Sequence, residues 1–351
     1  MADRQTSSDD NPLGINGIDF VEFTSPDPAE LRSIFTELGF SRLKRHKDYE
    51  DLEYYRQNGI HFLVNERDEG FASNFRADHG PSICSMGLRV DDATEAFENA
   101  TSRGADPAES ADKDLDLPAI WGIGNSLVYF VEEWGDEGAL WESRFEDLDN
   151  PDDVPTRGFM LIDHLTNNVY QGDKEKWADF YKQIFGFEEI RYFDIKGKKT
   201  GLTSYALRSP CGTFALPINE ASDEKSQIQE YLDEYNGPGI QHLALQTNDL
   251  LESLDQMEGG SIETLDIIDS YYDEVFDRVP NVKEDHERIE YHDVLVDGDE
   301  DGYLLQIFTK NCIGPIFFEL IQRNNHKSFG EGNFQALFES IERDQERRGV
   351  L

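Results

Sequence analysis

Three residues in this 351-residue chain have the chemistry of metal ligands and a setting that needs explaining: His164, His242 and Glu319 each sit inside an apolar, strand-like run. The runs read Leu161-Ile162-Asp163-His164-Leu165, Ile240-Gln241-His242-Leu243-Ala244-Leu245 and Ile316-Phe317-Phe318-Glu319-Leu320-Ile321. A polar side chain in such a run needs a buried partner or a ligand, because burying it unpaired is costly. One histidine in a strand is ordinarily a hydrogen-bonded core residue. Two imidazoles and a carboxylate in equivalent settings point to a metal, and this set holds non-haem Fe(II) on one face while leaving the opposite positions open.

An internal repeat supplies the elements that must position them. Gly17-Ile18-Asp19-Phe20-Val21 leads into an amphipathic stretch that ends at Leu38-Gly39-Phe40, and Leu161-Ile162-Asp163-His164-Leu165 leads into one that ends at Phe185-Gly186-Phe187. Gly80-Pro81-Ser82-Ile83-Cys84-Ser85-Met86-Gly87-Leu88 is matched by Gly237-Pro238-Gly239-Ile240-Gln241-His242-Leu243-Ala244-Leu245. Leu31, Ile34, Phe35 and Leu38 fall at helical spacing, as do Trp177, Phe180, Tyr181 and Ile184. Each Gly-Phe glycine is a natural helix C-terminal cap. Each half therefore reads as two βαβββ modules, joined by a linker over the acidic stretch 147–155. The alignment sets Phe20 against His164 and Ser85 against His242, so only the second half carries the ligands.

Composition narrows the function classes. There are 73 acidic and 32 basic residues, a formal charge of −41 spread along the whole chain. Nucleic acid and anionic membranes would be repelled. The 23 Phe and 14 Tyr supply a core, so the charge does not mean disorder. A folded acidic chain with 19 Arg against 13 Lys reads as adapted to concentrated salt, where self-repulsion is screened. The protein should therefore melt at a higher temperature in molar KCl than in dilute buffer; equal melting temperatures would overturn the saline reading. Cys84, Cys211 and Cys312 have no metal-site spacing and read as small buried residues in a reducing compartment. The first ten residues lack an apolar segment and no stretch approaches a membrane span, so we expect a soluble, cytoplasmic protein.

Further strings sharpen the reading. Gly201-Leu202-Thr203-Ser204, Pro217-Ile218-Asn219-Glu220, Ser226-Gln227-Ile228-Gln229, Gln241-His242-Leu243-Ala244, Gln306-Ile307-Phe308, Phe317-Phe318-Glu319-Leu320-Ile321-Gln322-Arg323 and Phe329-Gly330-Glu331-Gly332-Asn333-Phe334 occur in that order. With the modules, they resemble the vicinal oxygen chelate superfamily and, within it, the 4-hydroxyphenylpyruvate dioxygenase family, from Asn11 onward. The resemblance implies an α+β fold of two tandem domains. These are a metal-free domain over 11–150 and a catalytic domain over 156–351, with an open barrel around the metal and a lid helix over about 333–348. It implies Fe(II) on His164, His242 and Glu319, and a small-molecule substrate, 4-hydroxyphenylpyruvate, consumed with O2. Homogentisate and CO2 would form by oxidative decarboxylation, ring hydroxylation and side-chain migration. Gln227, Gln241, Gln306 and Asn333 would serve catalysis, and Ser204, Asn219, Pro217, Phe308, Phe334 and Phe338 would contact substrate. It also implies a homo-oligomer, dimer or tetramer, with contacts through the N-terminal half.

Several of these residues have independent readings. Uncharged amides and hydroxyls orient a phenol and an oxo acid without competing for the metal. Gln241 directly precedes His242, so strand alternation would turn it to the opposite face unless the strand is distorted. Phe334, Leu337, Phe338 and Ile341 follow i, i+3, i+4, i+7 on one helix, with Asn333 as its N-cap and Gly330 and Gly332 as a hinge. His286 and His292 flank an acidic segment and read as ordinary surface residues. Three other functions fit parts of the pattern. 4-Hydroxymandelate synthesis would use the same fold, metal and substrate, but Pro217 and Phe308 favour ring hydroxylation. Extradiol catechol cleavage explains the triad without the C-terminal lid. A ligand-sequestering protein would not need all three ligands.

Overall fold

A computed structural model describes residues 4–135 and 139–351. The first half builds an eight-stranded sheet from β1 (Ile15–Thr24), β2 (Ser41–His46), β3 (Leu52–Gln57), β4 (Ile60–Asn65), β5 (Ser82–Val90), β6 (Ala119–Trp121), β7 (Leu127–Val131) and β8 (Phe145–Asp152). The second half builds another from β9 (Phe159–Val169), β10 (Glu188–Lys196), β11 (Gly201–Arg208), β12 (Ala215–Ala221), β13 (Gly239–Thr247), β14 (Leu295–Gly298), β15 (Tyr303–Phe308) and β16 (Phe317–Asn324). The strand orders are β6-β7-β5-β1-β4-β3-β2-β8 and β10-β11-β12-β9-β13-β16-β15-β14. In both, the first strands of the two modules, β1 with β5 and β9 with β13, pair antiparallel at the centre. The fold is the expected α+β tandem of βαβββ modules.

The helices form where the periodicity placed them. Pro28–Glu37 buries Leu31, Ile34 and Phe35, and Lys174–Phe185 buries Tyr181, Ile184 and Phe185. Gly186 closes the latter in the left-handed region, at φ 78°. Among the described residues no helix is long and apolar enough to cross a membrane. The cysteines are free thiols; Cys84 is fully buried, whereas Cys211 and Cys312 are only half-buried.

The stretch expected to be a linker is mostly strand. Phe145–Asp152 lies along the outer edge of β2, pairing Lys44 with Asp147 and Arg45 with Glu146. The acidity that suggested a linker instead serves pairing: Lys44 meets Asp147 at 2.5 Å, Arg45 meets Glu146 at 2.9 Å and Arg42 meets Asp152 at 2.9 Å. Pro151 is tolerated because an edge strand can spare its N–H.

The first half also buries a carboxyl group. Glu22 accepts hydrogen bonds from Asn65 Nδ2 at 2.8 Å and from Ser85 Oγ. Burial, reinforced by the charge of Asp114, pushes it up to about 7. Between its ordinary range and pH 7 the folded chain keeps a proton that the unfolded chain has lost, so this group's contribution to stability falls as pH rises. Glu22→Gln should leave the protein more stable than the parent above pH 7, on the order of 2 kcal/mol. The difference should shrink toward pH 5, as read by urea unfolding at both values. A pH-independent difference would contradict this account.

Candidate metal centre

The two histidines owe their positions to two β-bulges. On β9, Ile162 and His164 pair with Leu245 and Ala244, leaving Asp163 as an extra residue. On β13, Ile240 and His242 pair with Asn167 and Thr166, leaving Gln241 as an extra residue. A bulge suspends strict alternation and re-aims a side chain. Gln241 therefore stands on the cavity wall beside His242, with Oε1 3.3 Å from His242 Nδ1. Asp163 Oδ2 stands 2.8 Å from His164 Nδ1. Each imidazole is held at Nδ1 by the residue before it, which turns Nε2 toward the opening.

The carboxylate comes from the next strand. Ala244 pairs with His164 on one side and with Glu319 on the other, and this small side chain leaves room between them. Glu319 Oε2 lies 3.0 Å from His164 Nε2 and 3.7 Å from His242 Nε2. All three side chains are buried, and their ligand atoms lie within 4.8 Å of one another. This donor set, with both remote ring nitrogens already held, fits a divalent cation bound from one side.

Electrostatics divide the two rings. Burial opposes charge on His164, but the carboxylates of Glu319 and Asp163 outweigh it and push the ring up to about 9. Burial, then the charge of His164, takes His242 well below its ordinary range. Burial also works against the Asp163 carboxylate, yet Arg323 and His164 hold it well below the usual range. Arg323 grips Asp163 with two bonds, Nε to Oδ1 at 2.7 Å and Nη2 to Oδ2 at 2.8 Å.

The triad opens onto a cavity of about 150 Å³ inside the curl of the second sheet. Ser204, Pro217, Asn219, Gln227, Gln241, Phe308, Phe334 and Phe338 line it with the three candidate ligands. Gln306 and Asn333 do not. Gln306 points from β15 under the Phe329–Gly330 segment, both amide atoms buried without a partner among the described residues; a Cβ on Gly330 would come 2.4 Å from Gln306 Nε2. Asn333 precedes the helix but its side chain does not cap it; Oδ1 instead accepts from Tyr271 Oη at 2.7 Å and Arg278 Nη2 at 3.1 Å. Reasoning from sequence overlooked the aromatic walls Phe193, Phe317 and Phe329, and the Asp163–Arg323 pair. Opposite charges beside two candidate ligands, each in an apolar strand, were the available signal for that pair.

The C-terminal helix Phe334–Arg348 covers the cavity and is fastened on three sides. Glu342 accepts the backbone N–H groups of Lys198, Lys199 and Thr200 at 3.1, 2.9 and 2.9 Å in the turn between β10 and β11. Ser340 Oγ and Arg343 Nη2 donate to the Asp266 carbonyl at 2.7 and 2.8 Å. Gln345 Nε2 donates to Glu230 at 2.8 Å, and Arg348 pairs with the same carboxylate. A second cluster, Asp255, Glu258 and His292, lies at the surface with Asp255 already engaged by Arg288 and His292, and we assign it no metal.

Residues 9–146 match the family described as "Hydroxyphenylpyruvate dioxygenase, HPPD, N-terminal", and residues 161–307 match the "Glyoxalase/Bleomycin resistance protein/Dioxygenase superfamily". The chain is 58% identical over 346 residues to Protein MelA of Shewanella colwelliana, covering 98% of this chain and 100% of that protein. It is 46% identical over 345 residues to the 4-hydroxyphenylpyruvate dioxygenase of Legionella pneumophila, covering 97% and 98%. To the 4-hydroxyphenylpyruvate dioxygenase of Pseudomonas aeruginosa it is 44% identical over 352 residues, covering 97% of each. In fold it is similar to a mutant 4-hydroxymandelate synthase from Streptomyces coelicolor, with a TM-score of 0.80 at 24% identity, covering 94% of this chain and 99% of that one.

Proposed function

The chain belongs to the 4-hydroxyphenylpyruvate dioxygenase family, and on that premise we propose that it converts 4-hydroxyphenylpyruvate and O2 to homogentisate and CO2 at a ferrous ion held by His164, His242 and Glu319. The observation that carries the reading is the triad itself, buried, with both Nδ1 atoms held and both Nε2 atoms turned to one carboxylate. When bound, the ion supplies open coordination positions at which an oxo acid and O2 are activated together.

The protein's own residues do the rest. Asp163 and Gln241 hold the two rings in the tautomer that offers Nε2. Phe308, Phe334 and Phe338 grip the aromatic ring of the substrate, aided by Phe193 and Phe329. Gln227, Gln241, Asn219 and Ser204 offer hydrogen bonds that orient the phenol and the oxo acid, while Pro217 shapes the wall. Gln306, whose amide has no partner here, joins them only if the Phe329–Gly330 segment that covers it shifts. Asn333 then acts by fixing the start of the lid helix through Tyr271 and Arg278. The lid helix excludes water from the reacting centre. A homo-oligomer, dimer or tetramer, in a cytoplasmic, salt-rich setting completes the reading; light scattering in molar KCl tests the assembly.

The deciding experiment is product identification. Fe(II)-loaded protein is given 4-hydroxyphenylpyruvate, O2 and ascorbate, and products are separated against standards, since homogentisate and 4-hydroxymandelate are isomers. Homogentisate supports the reading. Hydroxymandelate keeps the fold and the metal but overturns the reaction, and no oxygen uptake by folded, iron-loaded protein overturns the substrate.

A further inference from the structure

Arg323 does more than neutralise a buried carboxylate. Its guanidinium is half-buried and engaged on both sides. Nε and Nη2 grip Asp163 at 2.7 and 2.8 Å, while Nη1 donates to the carbonyl oxygens of His326 at 3.1 Å and Ser328 at 2.6 Å. Asp163 in turn holds His164 Nδ1 at 2.8 Å. Ser328 immediately precedes Phe329 and Gly330. The Phe329 ring meets the His164 ring edge-on at 5.5 Å, and Gly330, at φ 78°, begins the short turn that leads into the lid helix. An unbroken chain of contacts therefore runs from a candidate metal ligand, through Asp163 and Arg323, to the backbone that leads into the C-terminal helix.

We propose that Arg323 is a positioning residue that ties the orientation of His164 to the closed position of the 326–333 segment, so that metal occupancy and lid closure stabilise each other. The inference rests on the triad being a metal site. Its physical basis is the rigidity of the guanidinium fork. Once Asp163 fixes the guanidinium plane, the position of Nη1 is fixed too, and with it where the two carbonyls must lie. Moving the 326–328 backbone outward either breaks the two Nη1 bonds or tilts the plane and drags Asp163 away from His164. Coupling of this kind is reciprocal: a metal that fixes His164 favours the closed segment, and a closed segment favours the metal. A lysine at this position keeps the charge but cannot make the fork and reach both carbonyls together.

The test compares the full-length protein with Arg323→Lys and Arg323→Gln, using Co2+ as the probe metal. Two quantities are measured: Co2+ affinity by competition with a chelator, and the rate of tryptic cleavage after the exposed Lys327, read by mass as release of residues 328–351. In the parent, saturating Co2+ should slow that cleavage about tenfold or more. In both variants affinity should fall about 10–100-fold, and cleavage should be fast whether or not Co2+ is saturating. The lysine variant keeps the buried charge and guards against a mere loss of folding. A folded variant with parental Co2+ affinity, or one still protected by Co2+ as the parent is, overturns the coupling alone. Absence of Co2+ binding by the parent overturns the metal reading and the coupling together.

Discussion

Glu319→Gln should lose essentially all turnover, at least about 10³-fold, and most of its bound iron. Glu319 is the one candidate ligand that brings negative charge, and its Oε2 lies 3.0 and 3.7 Å from the two Nε2 atoms. Glutamine keeps the volume and the buried position but offers a neutral oxygen, so a divalent cation would face two neutral rings and an amide in a buried site. The change also strips His164 of the carboxylate that favours its charged form, although Asp163 remains. The measurement is metal content by elemental analysis alongside homogentisate formation. Parental iron content with parental turnover would remove Glu319 from the ligand set. Parental iron without turnover would show that the ring pair alone suffices for binding. His164→Ala and His242→Ala should match it in turnover, because each also opens the one-sided donor set.

Removing the lid should be nearly as costly, for a different reason. Ending the chain after Phe329 should lower turnover on the order of 10²-fold and raise the O2 consumed per homogentisate formed, with metal affinity falling less than in Glu319→Gln. Phe334 and Phe338 supply part of the wall that would grip the substrate ring, and without them water reaches the centre. Glu342→Ala is the finer instrument. It deletes the acceptor for three backbone N–H groups in the β10–β11 turn, of which that of Thr200 belongs to a buried residue. Its effect should lie between parent and truncation, with the same rise in wasted oxygen. Oxygen electrode and product yield, read together, check both variants. Unchanged coupling of O2 to product in a folded truncation would show that this helix is no lid.

What could be read from the chain, and what could not, follows from how far apart the cooperating residues lie. The repeat, the modules and the triad were legible because each rests on local pattern: a polar residue in an apolar run, helical spacing, a Gly-Phe turn. The C-terminal helix was legible too, from Phe334, Leu337, Phe338 and Ile341. The bulges at Asp163 and Gln241 were not, because an extra residue in a strand has no signature without its partner strand. Alternation alone put Gln241 on the wrong face, and the bulge is the physical reason. Gln306 failed in another way. Its place on β15 is as expected, but the segment that covers it comes from 24 residues further along the chain. The stretch 147–155 misled because acidity reads as solvation until Arg42, Lys44 and Arg45 are seen beside it.

The first half carries the same two bulges. Asp19 is the extra residue on β1 and Cys84 the extra residue on β5, with Phe20 and Ser85 where the other half has its histidines. Tyr129, opposite Gly87 on β7, occupies the place of Glu319. The bulges therefore belong to the scaffold and not to the metal. One atom marks the difference between phenyl and imidazole at this place. Asp19 Oδ1 accepts from Arg89 Nε at 2.8 Å, but Oδ2 is buried and accepts nothing from the described residues, whereas the matching oxygen of Asp163 holds a ring nitrogen. Phe20 has no nitrogen to give it. A histidine at position 20 would follow the same bulge as His164, with the open oxygen of Asp19 before it, but there the rings of Phe20, Tyr129 and Trp141 pack against one another.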